Sequence, residues 1–382
     1  MTAQFSYVKI YIRRRSNGTA KKNSTDKGVR EMKKILVLVL ALILSLGCMS
    51  AMAEEIDWRA LEGEELMVYV GCDEEHGAAV VKAFEEKTGI KTSYIRLSGN
   101  DCYTRILEER ENPQADVWYG GTWDPYIAAA KEGLLYANEG FEHAAYKSAN
   151  YGIGEPYWNG IYSGYIGFIC DMDALEEAGV EAPTCWADLA KPEYEGMIVM
   201  ANPGATGTGV MTASILFQLY GEEKAKEMFA AFDPNVVTYV KTGSGTSAMV
   251  STGEAAIGVG FLHTGLMYIE EGYDNIKLIA PSDGTGYEVG GAAILEGAKN
   301  LDAAKLFMAY AMTPECQEIG QTVGALQFLT VEGANDPESA KAITEMGVNL
   351  IDYDSTWTGE NKNYIIETWT GCINADKIQP KD

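Results

Sequence analysis

The residues best suited to chemistry are the glycines and threonines of positions 201 to 210, "ANPGATGTGV", which precede the apolar run "MTASILFQLY". Glycines let the backbone approach another group closely, and the first N–H groups of a helix have no partner within it and carry about half a positive charge. We therefore expect Thr206, Gly207 and Thr208 to hold a phosphate or carboxylate without a lysine. The alternative is a tight turn in which Thr206 or Thr208 only caps the helix.

A second predicted strand, "VVTYVKTGSG", runs into a loop of the same kind before a helix, with Ser244 at the junction. Ser244 is therefore a second candidate for ligand binding. Neither GxxxxGK[ST] nor GxGxxG occurs in the chain, so these loops do not predict a nucleotide site.

Alternating short strands and amphipathic helices position these loops. Three predicted strands, "LMVYVGC", "KTSYIRLS" and "ADVWYGG", are each followed by a helix, and Asp124 and Pro125 are expected to begin the third helix as N-cap and first residue. The β-α repeat predicts a largely parallel sheet covered by helices, whose ligands lie beyond the carboxyl ends of the strands. On this rule, the cleft candidates that follow the first and third strands are Cys72, Asp73, Gly121 and Thr122.

The N-terminal region contains a predicted export signal. Residues 32–53, "MKKILVLVLALILSLGCMSAMA", combine two lysines, an apolar core and an Ala-x-Ala ending, which is typical of a secretory signal peptide cleaved after Ala53. Lipidation at Cys48 is the alternative processing route, whereas a retained membrane anchor would need about 20 apolar residues. Residues 1–31 are predicted to be a mis-assigned segment upstream of a true start at Met32.

Without residues 1–53 the chain has 20 basic and 53 acidic residues, since that segment holds ten of the 30 Lys/Arg and two of the 55 Asp/Glu, so the net charge is −33. A surface this acidic argues against nucleic acid and anionic membranes as partners. The remaining chain is longer than one hydrophobic core usually supports, so two domains are expected.

Six cysteines remain after cleavage in an exported protein, which permits disulfides. The positions of the cysteines on the predicted elements favour the pairs Cys72 with Cys102 and Cys170 with Cys185, which leaves Cys316 and Cys372 as the third pair. No Cys/His spacing indicates zinc, and no metal or cofactor is expected.

A secreted hydrolase is the competing class. The chain has no GxSxG elbow, and neither His76 nor His143 lies beside an evident nucleophile. A hydrolase would need Glu288 or Asp73 as its acid or base. We therefore expect no catalytic residues.

Five ordered motifs carry a resemblance to a known family. They are "NPQADVWYGGTWDPYIAAAKEGLL", "PTCWADLAKPEYEGMIVMANPGATGTG", "GEAAIGVGFLHTG", "GTGYEVGGAAILEGAKN" and "IDYDSTWTGENK". Over nearly the whole chain after residue 53, the sequence resembles the extracellular solute-binding proteins of ferric-type ABC importers, a group that includes binders of ferric ion, hexose phosphates and aminoethylphosphonate.

The resemblance implies the two-lobed α/β fold of type II periplasmic binding proteins, with mixed, mostly parallel sheets and a hinge between the lobes. The first lobe would comprise residues 54–158 and 288–340, and the second 159–287 and 341–382. The expected partners are a small anionic ligand and a membrane-embedded ABC permease, and the protein is expected to be a monomer outside the cytoplasmic membrane.

Two positions bear on the ligand within this family. Ferric binders carry adjacent tyrosines where this chain has His263 and Thr264, and hard Fe(III) needs anionic oxygen ligands. The hexose-phosphate relatives have a histidine there, usually followed by aspartate, and a glutamate matching Glu288; both contact sugar hydroxyls. The resemblance therefore implies a sugar phosphate or similar anion, with ferric ion or aminoethylphosphonate as alternatives, although Thr264 departs from the pattern.

Aromatic rings suit the C–H face of a sugar, and five candidates flank the predicted cleft: Tyr119, Trp123, Tyr157, Trp158 and Tyr287. Most are expected to be core. Only Trp158, together with Thr122, is predicted to line the cleft.

Overall fold

The structure is a computed structural model that describes residues 56–139 and 145–380. The predicted upstream segment and signal peptide, with Cys48, and also His143 lie outside the described residues. Within them, no helix has the length and apolar character needed to cross a membrane.

Strands and helices alternate along the described chain as predicted, with ten strands and thirteen α-helices in the described residues. The strands are β1 (Glu65–Val70), β2 (Lys91–Arg96), β3 (Val117–Thr122), β4 (Asn159–Asp171), β5 (Ile198–Ala201), β6 (Val236–Val240), β7 (Ile257–Phe261), β8 (Ile276–Ile279), β9 (Tyr287–Ile294) and β10 (Phe328–Leu329). The helices are α1 (Glu74–Thr88), α2 (Gly99–Glu108), α3 (Trp123–Lys131), α4 (Met172–Ala178), α5 (Gly207–Tyr220), α6 (Glu222–Phe232), α7 (Gly245–Ser251), α8 (Leu262–Glu270), α9 (Leu301–Ala311), α10 (Pro314–Gln317), α11 (Lys341–Glu345), α12 (Ser355–Glu360) and α13 (Lys362–Thr370).

One mixed sheet contains all ten strands, in the order β2-β1-β3-β9-β4-β7-β5-β6, with β8 and β10 paired to β4. Strands β1, β2 and β3 run parallel to one another, as do β5, β6 and β7, whereas β3 and β7 pair antiparallel with β9 and β4. We call these two sets the first and second halves. The long antiparallel strand β4 joins them, because its first residues pair with β9 and its last residues pair with β7 and β8. The predicted mixed, mostly parallel sheet is therefore confirmed.

Strands β1 and β3 of the first half are buried on both faces of the sheet, to which their alternate residues point. Val68 and Val117 pack into one core cluster with Phe84 of α1, whereas Tyr69 and Trp118 pack into another. Helices therefore cover both faces, and the polar residues that follow the strands are left at the sheet's edge.

Two helices begin earlier than predicted. Strand β3 continues to Thr122, which becomes the N-cap of α3, so Asp124 and Pro125 occupy the second and third helical positions. Pairing of β7 with β4 ends where Phe261 faces Ile166, and α8 begins at the next residue. His263 therefore lies in the first turn of a helix and not at a strand end.

The C-terminal helices contact both halves. Lys131 of α3 pairs with Glu360 of α12 at 3.1 Å, whereas the hydroxyls of Ser214 in α5 and Thr358 in α12 lie 2.5 Å apart. The sequence assigned these helices to the second lobe alone, but the structure places them across the two halves.

The prediction of three disulfides was wrong for this structure, because all six described cysteines are free thiols. Cys72 and Cys102 lie in different core clusters, and the same is true of Cys316 and Cys372. Cys170 is buried within strand β4, whose backbone pairs with β7 at that position. Cys185 is only half-buried and immediately precedes a 3-10 turn. Burial also raises the pKa of the Cys72 and Cys102 thiols, which disfavours the reactive thiolate.

Candidate functional site

A polar cleft of about 660 Å³, including the solvent at its mouth, lies between the carboxyl ends of strands from both halves. It brings together residues that are far apart in the sequence. Nine of the ten predicted site residues line it: Asp73, Thr122, Thr206, Gly207, Thr208, Ser244, His263, Thr264 and Glu288.

The tenth, Trp158, does not line the cleft. Its side chain is 2% exposed and packs in the core against Tyr126, with ring centroids 5.8 Å apart. Gly154 lies so close that a Cβ there would be 2.0 Å from the indole, which shows how tightly the ring is enclosed. The predicted place of Trp158 in the cleft is therefore not what the structure shows, because its ring is enclosed in the core. Tyr162 and Phe261 are the aromatic residues that line the cleft instead.

The hydrogen bonds at the start of helix α5 bear on the two interpretations of the glycine-threonine run, which are an anion site and a tight turn with a capping threonine. The Thr206 hydroxyl is occupied as a cap, since it accepts from Gly209 N–H at 2.9 Å and donates to Asn202 O at 3.2 Å. No hydrogen bond within the described residues engages the N–H groups of Gly207 and Thr208 or the Thr208 hydroxyl. The helix start therefore offers backbone donors to an anion, while Thr206 only shapes it.

Glycine is required here by the close approach of the two halves. A Cβ at Gly207 would lie 1.9 Å from Thr122 Oγ1, and a Cβ at Gly243 would lie 2.3 Å from Thr208 Oγ1. Ser98 Oγ donates to Ala205 O across the cleft at 3.2 Å. The excess of glycine in the sequence thus reflects packing across the cleft as well as freedom of the backbone.

His263 and Glu288 form the opposite wall. Both are buried, at 5% and 3% exposure, and a Cβ at Gly164 would lie 2.4 Å from His263 Nδ1 and 3.3 Å from Glu288 Oε1. His263 Nδ1 has no hydrogen-bond partner within the described residues, and the ring stacks on Phe261. Two buried polar groups whose hydrogen-bonding capacity is not fully used are suited to binding a polar ligand in the cleft.

Burial sets the charge state of this wall. It lowers the pKa of His263 to about 3, so the imidazole is neutral at pH 7 and offers one donor and one acceptor. Burial, with the nearby Asp73 and Asp124 carboxylates, raises the pKa of Glu288 well above its usual range. A neutral imidazole beside a carboxyl group that resists ionisation suits the hydroxyls of a ligand better than its anionic group.

Arg96 is a cleft residue that sequence reasoning missed. It ends β2, its Nε donates to Cys72 O at 3.2 Å, and it is the only arginine or lysine among the described residues that line the cleft. Its guanidinium opposes the effect of burial, which raises the pKa of Asp73. The sequence could have predicted this position, because Arg96 lies at the carboxyl end of β2 just as Asp73 follows the carboxyl end of β1.

Tyr162 and Gln327 were also missed. Tyr162 OH accepts from Gly121 N–H at 2.8 Å, which leaves its proton free to donate into the cleft. Tyr162 lies within the long strand β4 and Gln327 just before β10, so neither position carries a signal in the sequence.

Comparison with known proteins gives a consistent result. The family described as bacterial extracellular solute-binding protein matches residues 124–354. An uncharacterized protein of Haemophilus influenzae is 37% identical over 324 residues, which are 82% of this chain and 91% of that protein.

Two further relatives carry ligand names. The solved structure of the periplasmic binding protein AfuA from Actinobacillus pleuropneumoniae, with fructose-6-phosphate bound, is 35% identical, with a TM-score of 0.74, and covers 82% of this chain and 99% of its own. A putative 2-aminoethylphosphonate-binding periplasmic protein of Salmonella typhi is 29% identical over 253 residues, or 62% of this chain and 68% of that protein. The fold is thus that of type II periplasmic binding proteins, as predicted.

Proposed function

Since the chain belongs to the family of bacterial extracellular solute-binding proteins, we propose that it captures a small phosphorylated organic anion, such as a sugar phosphate. It is the binding component of an ABC importer and not an enzyme, it acts outside the cytoplasmic membrane, and it delivers its ligand to a membrane permease.

The observation that carries the proposal is the start of α5, where the N–H groups of Gly207 and Thr208 face the cleft without partners among the described residues. Together with the Thr208 hydroxyl and the Arg96 guanidinium they provide directed donors for a phosphate. The opposite wall supplies His263 and Glu288 for the hydroxyls of the organic part. The similar protein with bound fructose-6-phosphate supports a sugar phosphate as the class of ligand.

The second candidate ligand is 2-aminoethylphosphonate. It is favoured by Asp73 and Glu288, because a half-buried and a buried carboxyl group in the cleft provide acceptors for an ammonium group. The same α5 donors would hold the phosphonate. Ferric ion with a synergistic anion is less favoured, because His263 and Thr264 stand where ferric binders of the family carry tyrosines.

The remaining features belong to the same proposal. The mature chain begins after Ala53, or at a lipidated Cys48, and acts as a monomer. Residues 54–158 and 288–340 form one lobe and residues 159–287 the other, closing by hinge motion on the ligand, with the C-terminal helices in contact with both.

A thermal-shift screen of the mature protein tests the proposal. Sugar phosphates, 2-aminoethylphosphonate, inorganic phosphate, free sugars and Fe(III) with citrate are compared. A ligand at 100 times its dissociation constant stabilises the fold by about 2.7 kcal/mol, which gives a clear rise in the melting temperature. We expect the largest rise with sugar phosphates; a rise with iron alone, and with no phosphorylated compound, would refute the proposal.

Binding of a phosphorylated ligand is expected to tighten as ionic strength rises. The acidic surface, which carries a net charge of 20 − 53 = −33 after residue 53, repels an anion, and salt screens that repulsion over roughly 10 Å at 0.1 M. Calorimetric titration at low and high ionic strength measures the effect, and Arg96→Gln, which removes local attraction, should show a larger gain. Weaker binding at high salt would contradict the expectation.

A further inference from the structure

Thr122 lies at the point where β3 passes into α3, and the sequence around it, "TWDP", fixes how its hydroxyl can bond. A threonine at an N-cap ordinarily accepts a hydrogen bond from an N–H two or three residues along the helix. Here the third helical residue is Pro125, which has no N–H, and the Thr122 side chain makes no capping bond. Its oxygen lone pairs are therefore not used by the helix.

The hydroxyl proton of Thr122 is already committed. Thr122 Oγ1 donates to Asp124 Oδ1 at 2.5 Å, and the Asp124 side chain is only 1% exposed. An ionised carboxylate can only accept, so the proton must lie on the Asp124 side. Thr122 lines the cleft at 6% exposure, and its side-chain oxygen is left with lone pairs and no proton to offer.

The charge of Lys362, which lies behind the cleft, stabilises this hydrogen bond from Thr122 to Asp124. Lys362 of α13 places Nζ 3.8 Å from Asp124 Oδ2 and is itself buried and hydrogen-bonded to Asn100 Oδ1. Asp124 Oδ2 accepts no hydrogen bond within the described residues. Burial raises the pKa of Asp124, and the Lys362 ammonium charge is the largest effect that opposes this and favours the ionised carboxylate. Without it, a buried carboxyl group would take up a proton and become a donor to Thr122.

We propose that Thr122 is a dedicated hydrogen-bond acceptor in the cleft, held in that role by Asp124 and Lys362, so that the ligand must present a hydroxyl or ammonium hydrogen to it. The inference rests on the proposed function and narrows it. Anionic oxygen belongs at the start of α5, and a ligand with a second phosphate or a carboxylate in contact with Thr122 is rejected. Asp124 and Lys362 act as positioning residues, because they reach the ligand only through Thr122.

The test couples a change in the protein with a change in the ligand. Calorimetry compares wild type, Thr122→Val and Thr122→Ser with glucose 6-phosphate and each of its monodeoxy analogues, and with 2-aminoethylphosphonate and ethylphosphonate, which lacks the amine. In wild type and Thr122→Ser, loss of one particular hydroxyl, or of the amine, is expected to weaken binding about tenfold or more. In Thr122→Val the same loss should change affinity less than twofold, because the acceptor is gone.

The outcomes separate the two proposals. If wild type binds a parent compound but Thr122→Val discriminates against its analogues as wild type does, the acceptor role is overturned and the proposed function stands. If wild type binds no phosphorylated probe, the proposed function is overturned and this inference with it.

Lys362→Met tests the positioning role, with Lys131→Met as the matched control, since both lysines line one cavity beside α3 and α13. Glu288 and Tyr353 are the other titratable groups that Asp124 faces, and both are kept. In Lys362→Met, discrimination between parent and analogue should be weakest at low pH and should increase as the pH rises, because burial raises the pKa of Asp124 and the lysine charge that opposes this effect is gone. Wild-type discrimination at every pH would overturn the role of Lys362, and Lys131→Met should match wild type.

Discussion

Gly207→Ala is expected to weaken ligand binding about 100-fold, or about 2.8 kcal/mol. The new Cβ would lie 1.9 Å from Thr122 Oγ1 and 3.0 Å from Thr122 Cβ, a separation that no rotamer change at position 207 can relieve, because alanine has none. The two walls of the cleft must then move apart, and the N–H groups at the start of α5 no longer reach the anion together. Calorimetric titration with a sugar phosphate measures the loss.

The matched control is Gly99→Ala. Gly99 lines the same cleft at the first position of α2, but its Cβ would meet nothing nearer than Gly121 Cα at 3.7 Å, an ordinary contact. Both substitutions replace glycine by alanine in a helix, where alanine is the better helix former, so Gly99→Ala should not lower stability and any loss in Gly207→Ala reports the contact with Thr122. Binding by Gly207→Ala within threefold of the control would show that the close approach of Gly207 and Thr122 is not needed for binding.

Glu288→Gln is expected to stabilise the unliganded protein at pH 8 and to weaken sugar-phosphate binding by about tenfold. Burial and the nearby carboxylates raise the pKa of Glu288 in the folded state. A carboxyl group whose folded pKa is raised contributes stability below its unfolded pKa and loses it as pH rises through the folded value. The neutral amide avoids that loss, but its NH₂ group can only donate, so it cannot replace both oxygens of the carboxyl group in hydrogen bonds to ligand hydroxyls.

Denaturant titrations at pH 5 and pH 8 measure the stability effect, which should be larger at pH 8. Glu332→Gln is the control, because Glu332 is exposed and its replacement should change stability little at either pH. Equal stability of Glu288→Gln and wild type at pH 8 would mean that the buried carboxyl group is not destabilising.

Local patterns in the sequence predicted the features that depend on neighbouring residues. The alternation of strands and helices, the parallel sheet, and the helix start at 206–208 all follow from periodicity and from glycine and threonine placement. The resemblance added His263 and Glu288, which the structure places within one wall of the cleft.

The errors concern distances between residues remote in sequence. The count of cysteines permits pairing but says nothing about which face of the sheet each thiol occupies, and Cys72 and Cys102 lie in different clusters. The Trp158 ring is enclosed in the core, closely packed against Gly154, and no pattern in the sequence indicates that contact. Tyr162 enters the cleft because β4 crosses between the halves, which no local pattern reveals.

In the proposed division of the cleft, the end that holds the anion is built largely from main chain at Gly207 and Thr208, whereas the other end is built from the side chains of His263 and Glu288. A point mutation can delete a side chain but cannot delete a peptide N–H, except by introducing proline. Single substitutions can therefore change which hydroxyl groups the side chains recognise, while the backbone donors for the anion stay the same. To change the ligand specificity by mutagenesis, positions 263, 264 and 288 are therefore the ones to vary, and the loop at 206–208 should be kept.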